Sequence, residues 1–294
     1  MNEVQERATR ALSRDPATRL IEYEREWITT GEMLRLAEKV NALIDASGAD
    51  PLAPVAFVPR NRPEVLTALM GLLMRNRHIR MIHVYQSPGG IARNIARLKP
   101  ATVVAMQQDL PEEVRQSLRQ QGIAAIALAD MDAALVAGCE RSTAECDPPP
   151  LEPQIDLLTS GTTGPPKQFP ISYDFIAREM VNGSTLTIAE DFDMLALPPA
   201  HLYWPFGNFS GLYAIVTPML LGMRGVLSDR FTVAEAHDYV VRFKPDFIGL
   251  PPAGVQMVLD AAIPVEDFAS LKYVRVGSAP LKLATHRAFE DRYG

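Results

Sequence analysis

Leu157-Leu158-Thr159-Ser160-Gly161-Thr162-Thr163-Gly164-Pro165-Pro166-Lys167 is the stretch on which the reading of this chain turns. A mostly apolar run, Ile155–Thr159, passes into hydroxyls and glycines, then into two prolines and a lysine. The run has the length of a buried strand. Glycines let a backbone come close to an anion and adopt positive φ. Free N–H groups and Ser or Thr hydroxyls can hydrogen-bond phosphate oxygens, and Lys167 adds a point positive charge. The string is not a Walker loop, which needs G-x-x-x-x-G-K-[ST]: Pro166 precedes the lysine and Gln168 follows it. A plain turn uses the same residue types, but the whole string behind a buried strand reads as an anion-binding loop.

On both sides of this loop, short apolar runs alternate with amphipathic ones. The expected strands are Val55–Val58, Ile79–Val84, Thr102–Met106, Ile123–Leu128, Ile155–Thr159, Met194–Leu197, Gly225–Leu227, Phe247–Leu250 and Tyr273–Val276. Helical periodicity marks Glu64–Arg75, Gly90–Leu98, Glu112–Gln121, Tyr173–Thr187, Thr232–Phe243, Ala253–Ala262 and Leu281–Tyr293. An earlier helix starts at Thr29 and Glu32, which have capping-box spacing, a spacing that Thr232 and Glu235 repeat. Phe209–Val226 reads as a buried helix followed by a strand. Alternation of this kind implies crossover connections and an α/β fold of largely parallel sheets layered with helices. Ligands in such folds sit beyond the carboxyl ends of the strands. The Pro-rich, acidic stretch Cys139–Pro153 reads as a loop between two sub-sheets. It divides the chain into a first sub-sheet region, 1–147, and a loop-bearing region, 148–294.

Bulk properties narrow the function. The chain has 294 residues, is 47% hydrophobic and carries a net charge of -6. It therefore holds a large core and lacks the general basic field that nucleic acid requires. The densest basic cluster, Arg75, Arg77, His78 and Arg80, reads as a solvated helix end. Two cysteines, Cys139 and Cys146, are too few for a disulfide framework, which points to a reducing cytoplasm. Neither has a His at metal-ligand spacing, and no metal site is expected. Phe209–Val226 is interrupted by Pro218, Gly222 and Arg224 and is too short for a membrane span.

Two further segments fall after expected strands. In Pro198-Pro199-Ala200-His201, a lone histidine is followed by Tyr203, Trp204, Phe206 and Phe209. Aromatics at that density build core, or at a strand end line a pocket for an apolar group. Gly277-Ser278-Ala279-Pro280-Leu281 is a strand-to-helix turn, with Pro280 near a helix start.

With these residues in view, the chain resembles the adenylate-forming (AMP-binding) superfamily over essentially its whole length. That superfamily includes acyl-CoA synthetases, firefly-luciferase-type enzymes and peptide-synthetase adenylation domains. Thr159–Lys167 resembles its phosphate loop, with Gln168 where the family usually has Gly. Trp27–Met33 resembles the early Thr-Tyr-x-Glu-Leu segment, and Val55–Val58 with Asn61 and Glu64 resembles the first buried strand and helix. Tyr173 stands where a Ser-His pair is common and is given no role. Pro198–His201 resembles the P-x-x-H segment near the acyl pocket and CoA channel. Gly277–Leu281 resembles the Gly-Gly-Ala-Pro-Leu turn along the adenine, with Ser278 replacing the second glycine.

The resemblance implies ATP-dependent activation of a carboxylic acid to acyl-AMP, followed by transfer to a thiol, commonly CoA. It implies ATP, Mg²⁺ and CoA as cofactors. Thr159, Ser160, Gly161, Thr162, Thr163, Gly164 and Lys167 would hold the phosphates, and Gly277, Ser278, Ala279 and Pro280 the adenine. His201, Tyr203, Trp204 and Phe206 would line the acid site, with Lys167 and His201 as the catalytic candidates. The family's Tyr-Gly-x-Thr-Glu motif, ribose Asp and C-terminal lysine domain do not occur in these 294 residues. The chain is accordingly expected to be the front part of such an enzyme, inactive alone and prone to self-association through an unpaired sheet edge. Two other readings stay open. One is an amino-acid adenylation domain, disfavoured by the lack of Asp or Glu from His201 to Leu212; the other is a non-catalytic nucleotide-binding fragment.

Overall fold

The computed structural model describes residues 1–159, 167–183 and 192–294. Helix α1 (Glu3–Leu12) precedes a hairpin of β1 (Arg19–Tyr23) and β2 (Glu26–Thr29), then α2 (Thr30–Ala46). Alternation follows: β3 (Val55–Phe57), α3 (Pro63–Met74), β4 (Ile79–Met81), α4 (Pro88–Leu98), β5 (Thr102–Met106), α5 (Glu112–Gln121) and β6 (Ala124–Ala129). β7 (Asp132–Leu135) turns back on β6. After a long connection come β8 (Gln154–Thr159), β9 (Lys167–Ser172) and α6 (Tyr173–Phe175), which continues in wider π-helical turns over Ile176–Asn182. The remainder is β10 (Ala200–Leu202), α7 (Phe209–Leu221), β11 (Gly225–Leu227), α8 (Val233–Phe243), β12 (Phe247–Leu250), α9 (Pro252–Asp260), β13 (Tyr273–Val276) and α10 (Leu283–Tyr293).

The strands form a seven-stranded sheet ordered β7-β6-β5-β3-β4-β8-β9, a four-stranded sheet ordered β10-β11-β1-β2, and the pair β12-β13. The five central strands of the large sheet are parallel, and antiparallel β7 and β9 close its edges. β10, β11 and β1 are parallel, as are β12 and β13. This is the expected α/β class with largely parallel sheets. Residues alternate between the faces of the large sheet as the pleat requires. Val104 faces a core shared with α1, α2, α3 and α7. Val103 and Ala105 face a second core under α4 and α5. A third core joins α8 and α9 to β12 and β13.

Three local expectations are corrected. Met194–Leu197 is not a strand: Met194–Ala196 is a single 3-10 turn, held by the Asp193 carboxylate accepting from the Leu195 N–H at 2.9 Å. Pro198 and Pro199 follow and have no N–H to give a ladder, so the strand begins only at Ala200. The stretch Cys139–Pro153 has no regular structure, but the strands it joins, β7 and β8, lie in one sheet. Sheet pairing also runs across the 147/148 division, from β4 to β8 and from β1 to β11.

The third correction concerns the basic cluster. Only Arg75 is a solvated helix end; Arg77, His78 and Arg80 are buried. Each meets a carboxylate far away in sequence. Arg77 pairs with Asp45, the His78 ring is 2.7 Å from Asp156, and Arg80 reaches Asp147 at 3.2 Å and Asp156 at 3.4 Å. Lys and Arg charges are buried only when paired in this way.

α3 sits between helices α1 and α2 and the large sheet, with Pro63 to Leu73 all buried. It crosses α2 at Gly71, where an added Cβ would lie 2.9 Å from both Cα and O of Ala37. The Asn41 amide fixes the crossing by donating to the carbonyls of Ala37 and Gly71 at 2.9 and 2.8 Å. Replacing a helical Gly with Ala gains up to about 1 kcal/mol of helix propensity. Forcing backbone atoms apart in a packed core costs about 1–3 kcal/mol. The clash should win here, so Gly71→Ala is expected to lower stability by about 1–2 kcal/mol, read from urea denaturation midpoints.

Candidate functional site

β8 and β9 fix the two ends of the expected anion loop. Their antiparallel ladder runs from Gln154↔Ser172 to Thr159↔Lys167, so the backbones of Thr159 and Lys167 are the last pair before the connection. Ser160, Gly161, Thr162, Thr163 and Gly164 lie outside the described residues. The connection leaves β8 at its carboxyl end, the end where open α/β sheets bind ligands. Lys167 is exposed there. The other end of the hairpin is anchored: Ser172 caps α6 by accepting from the Phe175 N–H at 3.1 Å, and the buried Tyr173 hydroxyl donates to the Arg77 carbonyl at 2.7 Å. Burial pushes that phenol far above its ordinary range, so Tyr173 is a structural peg.

The segment after Pro199 forms an aromatic wall. His201 on β10 pairs with Val226 on β11. Its ring stacks on Tyr239 of α8, with centroids 4.7 Å apart and planes 15° apart, and leans on Tyr203 at 5.0 Å. Tyr203 stacks on Trp204 at 5.0 Å and meets Phe231 at 5.2 Å. Three hydrogen bonds fix the wall. The Tyr239 hydroxyl donates to the Pro199 carbonyl at 2.7 Å, the Tyr203 hydroxyl to the Gly249 carbonyl of β12 at 2.8 Å, and the Asn61 amide to the Trp204 carbonyl at 3.1 Å. His201, Tyr203 and Trp204 are thus brought together. Phe206 is not among them: it is fully buried in the main core with Leu202 and Leu212. Phe231, Tyr239 and Gly249, which complete the wall, carry no motif in the sequence; only tertiary packing reveals them.

Both ring nitrogens of His201 are out of water and without a hydrogen-bond partner among the described residues. Desolvation lowers its pKa to about 4. The imidazole is therefore neutral at pH 7 and serves as a flat, apolar plate that retains one open donor and one open acceptor. Nothing in its surroundings tunes it toward neutrality, where general acid–base work is most efficient.

The turn Gly277–Pro280 follows β13 directly and is half-exposed to exposed. No heavy atom lies within 4 Å of a Cβ built on Gly277, so its approach is open. Ser278 adopts φ +72°, in the left-handed region. That conformation is strained for an L-residue and free for glycine. Ala279 and Pro280 then lead to α10.

β12 and β13 contribute a second surface. Phe247 pairs with Tyr273 and Gly249 with Arg275. Ile248, Leu250, Val274 and Val276 point the other way into the third core, so Phe247, Gly249, Tyr273 and Arg275 share the open face. Trp204 overhangs this face, its Nε1 3.8 Å from a Cβ built on Gly249. Among the described residues no group of three or more His, Cys, Asp or Glu side chains is arranged to hold a metal, and no helix is long and apolar enough to cross a membrane.

A hairpin that closes at Thr159 and Lys167 beyond a parallel strand, an aromatic wall and an open strand-to-helix turn mark the candidate site of this α/β protein. The chain belongs to the AMP-binding enzyme family, which matches it over residues 6–294. It is 25% identical over 280 residues to an indoleacetate–CoA ligase of Aromatoleum aromaticum, covering 90% of this chain and 52% of that protein. It is 25% identical over 187 residues to a D-alanine–D-alanyl carrier protein ligase of Streptococcus pyogenes, covering 60% of this chain and 34% of that one. The chain thus spans about half, or less, of these relatives. In fold it superposes on ATP-bound MatB from Rhodopseudomonas palustris with a TM-score of 0.78 at 19% identity, covering 99% of this chain and 58% of the other. It also superposes on the o-succinylbenzoate CoA synthetase MenE of Bacillus subtilis in complex with AMP, with a TM-score of 0.72 at 18% identity, over 99% and 70%.

Two measurements follow from this geometry. Between its unfolded value of 6.5 and its folded value of about 4, His201 takes a proton in the unfolded state that the folded state refuses. Its contribution to stability is full above the unfolded pKa and is lost as pH falls toward the folded one. From about pH 7.5 to pH 5 the loss should be about 2 kcal/mol, absent in His201→Phe, when urea midpoints of the two proteins are compared. Separately, Ser278→Gly should raise stability by about 0.5–1 kcal/mol, the relief of a left-handed Ser less the entropy of a glycine, read as a higher melting temperature.

Proposed function

We propose that this chain supplies the phosphate-loop, acyl and adenine portions of a ligase that activates a carboxylic acid with ATP as acyl-AMP, and that the whole protein passes the acyl group to a thiol, CoA above all. The observation that carries this reading is the closing pair Thr159↔Lys167 at the carboxyl end of β8. It puts the seven-residue hydroxyl- and glycine-rich connection where a parallel sheet receives an anion, with a lysine at its far end. The family match over residues 6–294 supports it. So do the ligases among the relatives and the MenE structure holding ATP and a magnesium ion.

The residues fit such a nucleotide. The open approach over Gly277 leaves room for a flat base along the turn, and Ser278, Ala279 and Pro280 border it. Ser160 to Gly164 offer backbone N–H groups and hydroxyls to phosphate oxygens, and Lys167 offers a charge. In the reaction a carboxylate oxygen attacks the α-phosphorus and pyrophosphate leaves. Phosphoryl chemistry asks the protein mainly for alignment and for charge opposite the departing oxygens. Magnesium, when bound with the nucleotide, neutralises phosphate charge. Lys167 and the loop hold the leaving group, while the His201, Tyr203 and Trp204 wall excludes water beside the acyl carbon. His201, neutral and stacked, positions rather than transfers protons.

ATP–pyrophosphate exchange with a panel of acids tests the proposal, on this chain and on any longer form that carries it. Lys167→Ala should reduce exchange roughly 10- to 100-fold, the equivalent of one charge-assisted hydrogen bond to phosphate, with little change in melting temperature because the side chain is exposed. Exchange at the wild-type rate in that variant would remove the lysine from the mechanism. Trp204→Ala should change the order of preferred acids while leaving the Michaelis constant for ATP nearly unmoved. A uniform loss across all acids would instead mark Trp204 as packing.

A further inference from the structure

The open face of β12 and β13 carries a charge that an apolar acid would not use. Arg275 stands on that face beside Gly249, its partner in the parallel register, and its side chain is exposed. Among the described residues no carboxylate pairs with it. Its guanidinium carbon lies 5.8 Å from the ring centroid of Tyr213 on α7, a cation–π contact that helps to hold the group. Trp204 lies over the same face, its Nε1 beside Gly249. Because residue 249 has no side chain, the floor between Trp204 and Arg275 is open. Strands rise about 3.3 Å per residue, so the Arg275 Cα lies about 7 Å from that of Gly277, at the start of the open turn. A molecule seated at the turn would reach Arg275 with a short chain of atoms.

We propose that Arg275 is a specificity-determining residue that receives a second carboxylate, so that the acid activated at this site is a dicarboxylic acid. The proposal rests on the adenylation reading and deepens it. One carboxylate is consumed at the phosphorus. The body of the acid lies along Trp204 over Gly249, and the remote carboxylate meets the guanidinium. A planar guanidinium fork matches a carboxylate in two parallel hydrogen bonds. A site built to pair a charge rejects the analogue that lacks it, because the charge is then left without its partner. The aromatic wall, read alone, suits an apolar acid; Arg275 adds the requirement at the far end.

The test uses this chain and hydrolysis-resistant sulfamoyl-adenosine conjugates of a series of straight-chain monoacids and of the diacids of equal length, with binding followed by calorimetry. For at least one chain length the diacid conjugate should bind roughly 10- to 100-fold tighter than its monoacid twin. Arg275→Gln should erase the difference by weakening the diacid conjugate alone. Arg275→Lys, which keeps the charge but not the fork, should retain part of it. Unchanged melting temperatures would confirm that the variants fold. Equal binding of both series by the wild-type chain, or a diacid preference that survives in Arg275→Gln, would overturn the inference and leave the adenylation reading standing. Failure of AMP and of every conjugate to bind would overturn both.

Discussion

The arrangement depends on a buried charge clamp between β4 and β8. His78 and Arg80 stand on β4 and its approach, and Asp156 on β8 meets both, at 2.7 and 3.4 Å. Arg80 is the direct register partner of Asp156, and the Gln154 amide donates to the other Asp156 oxygen at 2.6 Å. β8 arrives beside β4 after a long irregular connection, so no short loop sets its register. A one-residue slip would turn every side chain of β8 to the wrong face and would leave the buried Arg80 guanidinium and the His78 ring opposite apolar groups. Unpaired buried charge costs several kcal/mol. The clamp therefore fixes the height of β8, and with it the point where the chain enters the loop that ends at Lys167.

From that point the site is assembled by two sheets and a strand pair. The large sheet delivers the loop. β10, locked in parallel beside β11, delivers His201 and the wall behind it. The wall in turn is tied to β12 through the Tyr203 hydroxyl and the Gly249 carbonyl. This bond links the aromatic segment to the strand whose neighbour, β13, ends in the open turn at Gly277. Rings in contact from Phe243 through Tyr239, His201 and Tyr203 to Trp204, alternately tilted and stacked, make a continuous surface. Rigid, desolvated surfaces suit a reaction that needs alignment more than acid–base chemistry.

Desolvation explains why His201 reads differently in sequence and in structure. The resemblance of Pro198–His201 to the P-x-x-H segment makes His201 a catalytic candidate. Stacked on Tyr239 and tilted against Tyr203, with neither nitrogen in water, it has no partner among the described residues to stabilise a positive charge, and the neutral form wins. Ser278 is the reverse case. In sequence it is a small change from glycine, whereas in structure its φ of +72° shows why glycine suits that place.

The sequence by itself determined the alternation of strands and helices, the parallel α/β class, the capping box at Thr29 and the N-cap at Thr232, and the span from Thr159 to Lys167 that joins β8 to β9. These are local: apolar period, turn chemistry and hydroxyl–glycine composition act over a few residues. Only the tertiary structure decided the rest. The basic run at residues 75–80 became a buried clamp because Asp45, Asp147 and Asp156 come from distant segments. Phe206 went to the core while Trp204, two residues away, went to the aromatic wall, because the chain leaves β10 after Leu202 and bends at Trp204, so the two side chains meet different neighbours. Gly249, Tyr239, Phe231 and Arg275 came to the candidate site through strand register and helix packing between segments far apart in the chain, and no window of sequence contains that information.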